Sequence, residues 1–427
     1  MPFRKFFPLF LGTLLLLACA LPTAVENIAM PTAVPTAIPA IQSTETAEPA
    51  QMPTETPANP TQPPSTMSIE HLSAGQEIKV TNIHMLDAAQ GWAIGGLDAN
   101  GDHILRTADG GLTWQDVTPP EPMAASSATQ SAIGFFMDLN HAWVAYHGAV
   151  PSPAAQASIW RTADGGATWQ QATLTDPALF TEGYMPSDLS FVDAQHGWMM
   201  VHVGAGMNHD YFVLLASTDG GATWQTLISP QNDASGTQGC YKNALTFVSP
   251  QNGWMTVDCH GVVPVPYIFK SDDGGASWQS IQFPAPASLP DIFDKGYCGP
   301  NNPILFTVTS GDLVLDCMQY TDNVSTPHPF LYETADAGAT WKTWPYPGGT
   351  LQFVGASTAF ALSRSIQRSD DAGHTWNLVR TVNWDGQFSF IDANSVWAVA
   401  SADGQIALVK SVDGASTWQE IKPKIAP

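Results

Sequence analysis

Thr107-Ala108-Asp109-Gly110-Gly111-Leu112-Thr113-Trp114 returns as Thr162-Ala163-Asp164-Gly165-Gly166-Ala167-Thr168-Trp169, with one position of the eight changed. Five more copies follow, carrying Asp219 and Trp224, Asp273 and Trp278, Asp336 and Trp341, Asp371 and Trp376, and Asp413 and Trp418. All fit Ser/Thr-x-Asp-x-Gly-x-Thr/Ser-Trp except at Ala415, which stands where the last glycine belongs. A short connection between antiparallel strands needs residues that accept positive φ, and glycine supplies them. The carboxylate can accept backbone N–H groups of its own turn, and the Ser and Thr hydroxyls can tie the strand ends together. Each tryptophan then opens the following strand with a large apolar face. The aspartates are thereby assigned to their turns rather than to a ligand.

A second pattern makes the repeat longer than this hairpin. Trp92, Trp143, Trp198, Trp254 and Trp397 lie 22, 26, 26, 24 and 21 residues before the tryptophan of their loop, mostly after Gly or another small residue. Further upstream stand Leu86-Asp87, Phe136-Met137-Asp138, Phe191-Val192-Asp193 and Phe390-Ile391-Asp392, with Phe247-Val248 and Phe353-Val354 as variants. Each unit therefore reads as four strands: one ending in Phe-x-Asp, one beginning Gly-Trp, one entering the loop and one leaving it. Seven such units fill 68–427 at about 51 residues each, the loops spaced by 55, 55, 54, 63, 35 and 42. Four short strands per repeat predict an all-β, seven-bladed β-propeller, since closing the ring removes the end faces an open array must cap. An open β-solenoid or a pair of sandwiches is the alternative.

Composition agrees. Gly and Pro number 35 and 34, Trp 15, and only 12% of residues are charged, a balance suited to short strands and tight turns. The formal charge of -23, from 15 basic and 38 acidic residues, argues against nucleic acid as a partner, because phosphate tracking rests on Lys and Arg.

Residues 1–19 have the parts of an export signal: Arg4 and Lys5, an apolar run from Phe6 to Leu17, and a small residue before the cut. The run falls short of the ~20 apolar residues that span a bilayer. Its end, Leu16-Leu17-Ala18-Cys19, resembles the lipobox of bacterial lipoproteins, which implies that Cys19 is acylated and that the chain meets the membrane only through this anchor. Ordinary signal cleavage nearby is the alternative, and either route leads out of the cytoplasm. Residues 20–67 hold ten Pro, nine Thr and no aromatic residue, so they are expected to form a disordered tether between signal and propeller.

Cys240 and Cys259 are 19 residues apart, as are Cys298 and Cys317, and each pair brackets the first two strands of a unit. An exported protein admits disulfides. Of the three connectivities, Cys240–Cys259 with Cys298–Cys317 is expected, and free thiols are the alternative.

The repeated loop resembles the Asp-box, or BNR repeat. Together with Phe191-Val192-Asp193, Gly197-Trp198 and the loops at Asp109, Asp164 and Asp219, it resembles the photosystem II stability and assembly factor family across the folded region. That resemblance implies a seven-bladed propeller serving as a non-catalytic docking platform. The chain departs from the basic, Arg-rich patch of the photosynthetic members. Its folded region has five arginines, Arg106, Arg161, Arg364, Arg368 and Arg380, three of them directly before a repeated loop. The fold carries over better than the photosystem partner.

Asp-boxes also occur in sialidases, and that resemblance would need an arginine triad for a substrate carboxylate, a Phe/Tyr-Arg-Ile-Pro start and a Tyr/Glu pair. The start is absent. Glu182 and Tyr184 adjoin, but only Arg364 and Arg380 lie away from the loops. Other glycosidases need two carboxylates across the scissile bond, and the tandem-propeller xyloglucan enzymes need two propellers where this chain has room for one. His202, His209 and Asp210 are close in sequence but too loosely spaced to specify a metal, and read as solvated loop residues. The resulting expectation is a monomeric, cell-surface, non-catalytic scaffold without metal or cofactor, binding a protein or glycan partner. Its loops at Pro119–Ala132, Asp176–Pro186, His202–Tyr211, Gln231–Gly239 and Pro284–Asn302 are the candidate binding elements. A sialidase-like or other glycoside hydrolase is the alternative.

Overall fold

A computed structural model describes residues 68–121, 130–147, 157–174, 176–180, 183–206, 209–259, 264–301, 304–305, 307–321 and 324–427. Cys19, the expected tether over 20–67 and Glu182 lie outside the described residues. Seven antiparallel sheets follow one another along the chain: blade 1 over 79–116, blade 2 over 131–174, blade 3 over 185–228, blade 4 over 241–282, blade 5 over 296–345, blade 6 over 350–381 and blade 7 over 385–421. Each has four principal strands in sequence order or its reverse, and the whole is a seven-bladed β-propeller with almost no helix.

The strands begin and end where the repeat places them. First strands stop at Phe136, Phe191, Phe247, Phe353 and Phe390, and second strands start at Ala142, Gly197, Gly253, Ala359 and Val396. The second strand of blade 1, Gly91–Gly96, is buried at every residue, as a strand covered on both faces must be. Bonds between first strands of neighbouring blades, such as Phe247 N–H to Ser190 Oγ at 3.1 Å, place these strands around the axis. The up-and-down path then puts the first turns and the repeated loops on one face. The second-to-third and blade-to-blade connections lie on the other.

Every repeated loop is locked within itself and to its own blade. In blade 2, Thr168 N–H donates to Asp164 Oδ1 at 2.9 Å, the Thr168 hydroxyl donates to Oδ2 at 2.6 Å, and Gly166 N–H donates to Thr162 Oγ1 at 2.9 Å. The backbone N–H of the fourth residue after the aspartate bonds that aspartate in all seven copies. A further N–H reaches the first turn of the same blade, as from Gly165 to Asn140 O at 3.0 Å. The hydroxyls of Thr375 and Thr417, followed by the N–H groups of the same residues, hold Asp371 and Asp413 down at about 2. Gly110, Gly165, Gly220 and Gly274 take positive φ, while Ala337, Ala372 and Ala415 take φ of 58°, 62° and 70° in the last three loops.

Between blades, one aromatic contact does most of the joining. Trp143 of blade 2 stacks on Phe191 of blade 3 with ring centroids 3.7 Å apart, and its Nε1 donates to Gly220 O in the next repeated loop at 2.8 Å. Trp198 treats Phe247 and Gly274 of blade 4 in the same way, at 3.6 Å and 2.8 Å. The glycine of Gly-Trp belongs to this contact, since a Cβ on Gly197 would sit 2.1 Å from the Phe191 ring. Closure repeats the pattern: Trp397 Nε1 of blade 7 donates to Gly110 O of blade 1 at 2.9 Å. The Gln387 side chain clasps Ile83 N and O at 2.9 and 3.0 Å, and a last strand, Lys424–Ile425, pairs in parallel with Thr113 and Trp114 on the outer edge of blade 1.

Cys240 is bonded to Cys259 and Cys298 to Cys317, the expected pairing. Cys298 and Cys317 face each other in register, and Cys240 and Cys259 flank the register pair Tyr241 and Asp258. Among the described residues no helix is long and apolar enough to cross a membrane.

Two stability predictions follow from the seams and the loops. Trp397→Phe keeps the ring but strands the Gly110 carbonyl, and should cost about 1–3 kcal/mol in urea unfolding. Trp254 Nε1 is buried without a partner, so Trp254→Phe loses a similar indole volume but no such bond and should cost about 1 kcal/mol less than Trp397→Phe. Equal losses in the two variants would refute the role given to the Trp397 bond. Replacing Ala337, Ala372 or Ala415 by Gly should raise the melting temperature, each by about 0.5–1 kcal/mol of stability, because left-handed backbone strains an L-residue.

Candidate functional site

The loops expected to bind, as far as they are described, fall in second-to-third or blade-to-blade connections, so they share the face away from the repeated loops. The tallest structures there are the paired strands Gly197–Gly206 and His209–Ser217 of blade 3 and the strand Gly311–Thr321 of blade 5. Blade 4 lies between them.

Three register shifts occur at this end of blades 3 and 4, at Met200/Val201, His202/Gly204 and Lys242/Ala244. Bulges of this kind re-aim side chains and are frequent beside functional sites. Here they gather Asp188, His202, Asp210, Tyr241 and Lys242. His202 Nδ1 and Asp210 Oδ1 are 2.8 Å apart, both residues being buried. Asp210 Oδ2 also accepts Lys242 N–H at 3.1 Å, while Lys242 Nζ donates to Gly239 O and Cys240 O at 2.8 and 2.7 Å. The Tyr241 ring lies parallel to His202 with centroids 4.9 Å apart and stays 47% exposed, offering an open aromatic surface over the cluster. His202 Nε2 is buried with no partner.

Burial dominates the electrostatics. It pushes Asp188 up to about 6, against the opposing pull of Ser187, His202 and the Leu245 N–H. It also brings Lys242 down to about 8 despite Asp210 and Asp233, and raises Tyr241 with the help of Asp210 and Asp188. Asp188 as a residue is half-buried rather than sealed from solvent. A carboxyl that is partly protonated near neutral pH can donate a proton, which an ordinary surface aspartate cannot.

The residues singled out from sequence are distributed otherwise. The seven loop aspartates and their tryptophans are spread around the opposite face, each aspartate engaged with its own turn, and they do not converge. His202 and Asp210 were read as solvated; they are buried and bonded because the strands of blade 3 extend past the expected hairpin, while His209 stands apart against Tyr211. Arg364 pairs with Asp385, Arg368 with Asp370, and Arg380 Nη1 bonds Ser416 O, so these arginines form no triad. Asp188 was missed, for it carries no motif.

No protein-family model matches the chain. A curated xyloglucanase from a Paenibacillus species is 26% identical over 278 residues, 59% of this chain. The match spans about a quarter of that relative, 24% of its length. Among solved structures, a puromycin-hydrolyzing peptidase of Mycobacterium tuberculosis aligns with 82% of this chain and 54% of its own at TM-score 0.50 and 11% identity, a likeness of fold alone. YCF48 from Cyanidioschyzon merolae aligns over 80% of this chain and 97% of its own, at TM-score 0.47 and 17% identity. The expectation of a non-catalytic scaffold does not stand, because the relative found by sequence is an enzyme. The absent arginine triad speaks against the sialidase arrangement alone. Burial can make an acid catalyst of a carboxyl that no motif marks.

Asp188 supplies a stability test with a definite sign. Its folded value of about 6 exceeds the 3.8 of an unperturbed aspartate, so its contribution is full below about 3.8 and is lost as pH rises through 6. Asp188→Asn, a mimic of the protonated form, should gain stability relative to the parent between pH 4 and pH 7. A difference that stays flat over this range in urea titrations would show that Asp188 is not buried as described.

Proposed function

We propose that this chain is a glycan-cleaving enzyme of glycoside hydrolase type, working at the loop-bearing face of blades 3 and 4. The observation that carries the reading is Asp188, a carboxyl of the first strand of blade 3 raised to about 6 by burial beside His202. Sequence similarity to a xyloglucanase adds support and suggests a β-linked plant polysaccharide as substrate class. Asp188 would protonate the departing glycosidic oxygen. Asp210 fixes the His202 ring through Nδ1, and His202 in turn supports the Tyr241 ring stacked on it. Tyr241 would carry a sugar ring on its open side. Asp258, the register partner of Tyr241 and bonded to the Tyr297 hydroxyl, is the carboxylate assigned to the second role such hydrolysis requires.

In the same reading the repeated loops are Asp-boxes, and acylation at Cys19 with the 20–67 tether holds a monomeric propeller outside the cell. The two disulfides fit an oxidising compartment.

Reducing-end release from xyloglucan and related β-glucans tests the proposal. The parent should be active at mildly acid pH and lose activity as pH rises through 6, where Asp188 gives up its proton. Asp188→Asn should lower kcat by about 100-fold or more without loss of melting temperature. Turnover that survives both Asp188→Asn and Asp258→Asn would remove these residues from the chemistry, and no turnover on any glycan would remove the function.

A further inference from the structure

On the opposite face, the seams between blades differ at one side chain. At the seam of blades 1 and 2, Arg106 Nη1 donates to Gly165 O at 2.9 Å and fills the space above it, so that a Cβ on Gly165 would meet the guanidinium at 2.1 Å. Trp92 Nε1 is there directed to Asp138 O instead. At the seam of blades 2 and 3, Trp143 Nε1 already holds the equivalent carbonyl, Gly220 O. Arg161, the counterpart of Arg106, is left with long contacts from Nη1 alone, 3.3 Å to Asp219 O and 3.4 Å to Gly220 O.

The consequence is a cavity of about 360 Å³ whose lining includes Arg161, His141, Asp164, Thr168 and Gln170, with the Trp143 ring as its inner wall. Among the described arginines, Arg364 and Arg368 have carboxylate partners and Arg106 and Arg380 have short bonds to carbonyls. Arg161 has neither, in a protein of 38 acidic residues. Its remaining donors form a planar fork suited to a carboxylate. Asp138 occupies His141 Nδ1 at 2.9 Å, so Nε2 is the ring nitrogen open to a ligand. The Asp164 carboxylate is committed to Thr162 and Thr168 of its own loop, and Gln170 offers an amide for hydroxyls.

We propose that the groove between blades 2 and 3 is a binding site for a small hydroxylated carboxylate of uronic acid type, held by Arg161 and His141. The volume falls in the range of pockets for small ligands. The site is independent of the chemistry assigned to Asp188, which lies on the other face.

Glucuronate and galacturonate, with glucose and acetate as controls, would be titrated by calorimetry into the full chain. The uronates should bind, and glucose and acetate should bind at least about tenfold more weakly, since one lacks the charge and the other the hydroxyls. Arg161→Gln should abolish uronate binding and Arg161→Lys should weaken it by about tenfold, because the charge remains without the fork. Asp188→Asn should bind as the parent does. Unfolding curves on each variant separate lost binding from a lost fold, and the Lys variant keeps the test valid should the Gln variant fail to fold. Uronate binding equal in parent and Arg161→Lys, acetate binding as tight as uronate, or no uronate binding by the parent at millimolar concentration would each overturn the assignment.

Discussion

The propeller depends on a tryptophan that belongs to two blades. Trp143 and Trp198 rise from the middle of one blade, lie flat on a phenylalanine of the next, and donate into the next repeated loop. Stacking buries a large apolar area, while the N–H bond fixes the angle at which the blades meet. The donor can find its acceptor only if the loop carbonyl points at the seam, and the loop aspartate ensures that by gripping the backbone beyond it. The aspartates and tryptophans thus solve two parts of one problem. The first shapes each blade's edge, and the second reads that edge from the neighbouring blade.

This device is not uniform around the ring. From blade 7 through blades 1, 2 and 3 the second-strand tryptophan always has a partner across the seam. At the next seam Trp254 Nε1 has none, blade 6 carries Phe360 in place of tryptophan, and blade 5 carries Asp312. Asp312 faces Glu333 in register, where every other blade except blade 3 pairs an aromatic ring with Arg or Lys, and burial followed by Glu333 pushes it up to about 7. The alanines at positive φ and the unpartnered loop tryptophans Trp341, Trp376 and Trp418 fall in blades 5 to 7 as well. Both disulfides sit in blades 4 and 5, where the aromatic bonding lapses, and join the two inner strands of each. A covalent link there constrains strands that the seam no longer fixes.

The contrast between what sequence revealed and what it hid follows the range of the forces. Thr107 to Trp114 announces its structure because the bonds of its Asp, Thr and Trp side chains close within four residues, and the spacing of Phe136, Trp143 and Trp169 records one blade. The cysteine pairing was readable for the same reason, as both partners lie in adjacent strands. That the ring closes was legible from the seven repeats, but the means was not, since the clasp of Gln387 on Ile83 joins residues 304 positions apart. Asp188 was least accessible of all. Its raised value is a sum over burial and several neighbours from two blades, and no residue beside it in sequence signals that sum.

The two faces of the disc therefore meet different demands. On the repeated-loop face almost every polar group is committed to holding seven blades in register, which leaves little for a ligand except where one seam has let its arginine go. On the other face the connections differ in length from blade to blade, and nothing in ring closure restricts them. Blade 3 uses that freedom to lengthen two strands and bulge them, which buries His202 and Asp210 together beside the buried carboxyl of Asp188. Such burial is costly for a carboxylate, and only a rigid surrounding can sustain it without relaxing. The interlocked tryptophans below supply that rigidity at blade 3, while blade 5, which lacks them, holds its own perturbed acid, Asp312, in a strand that a disulfide joins to its neighbour.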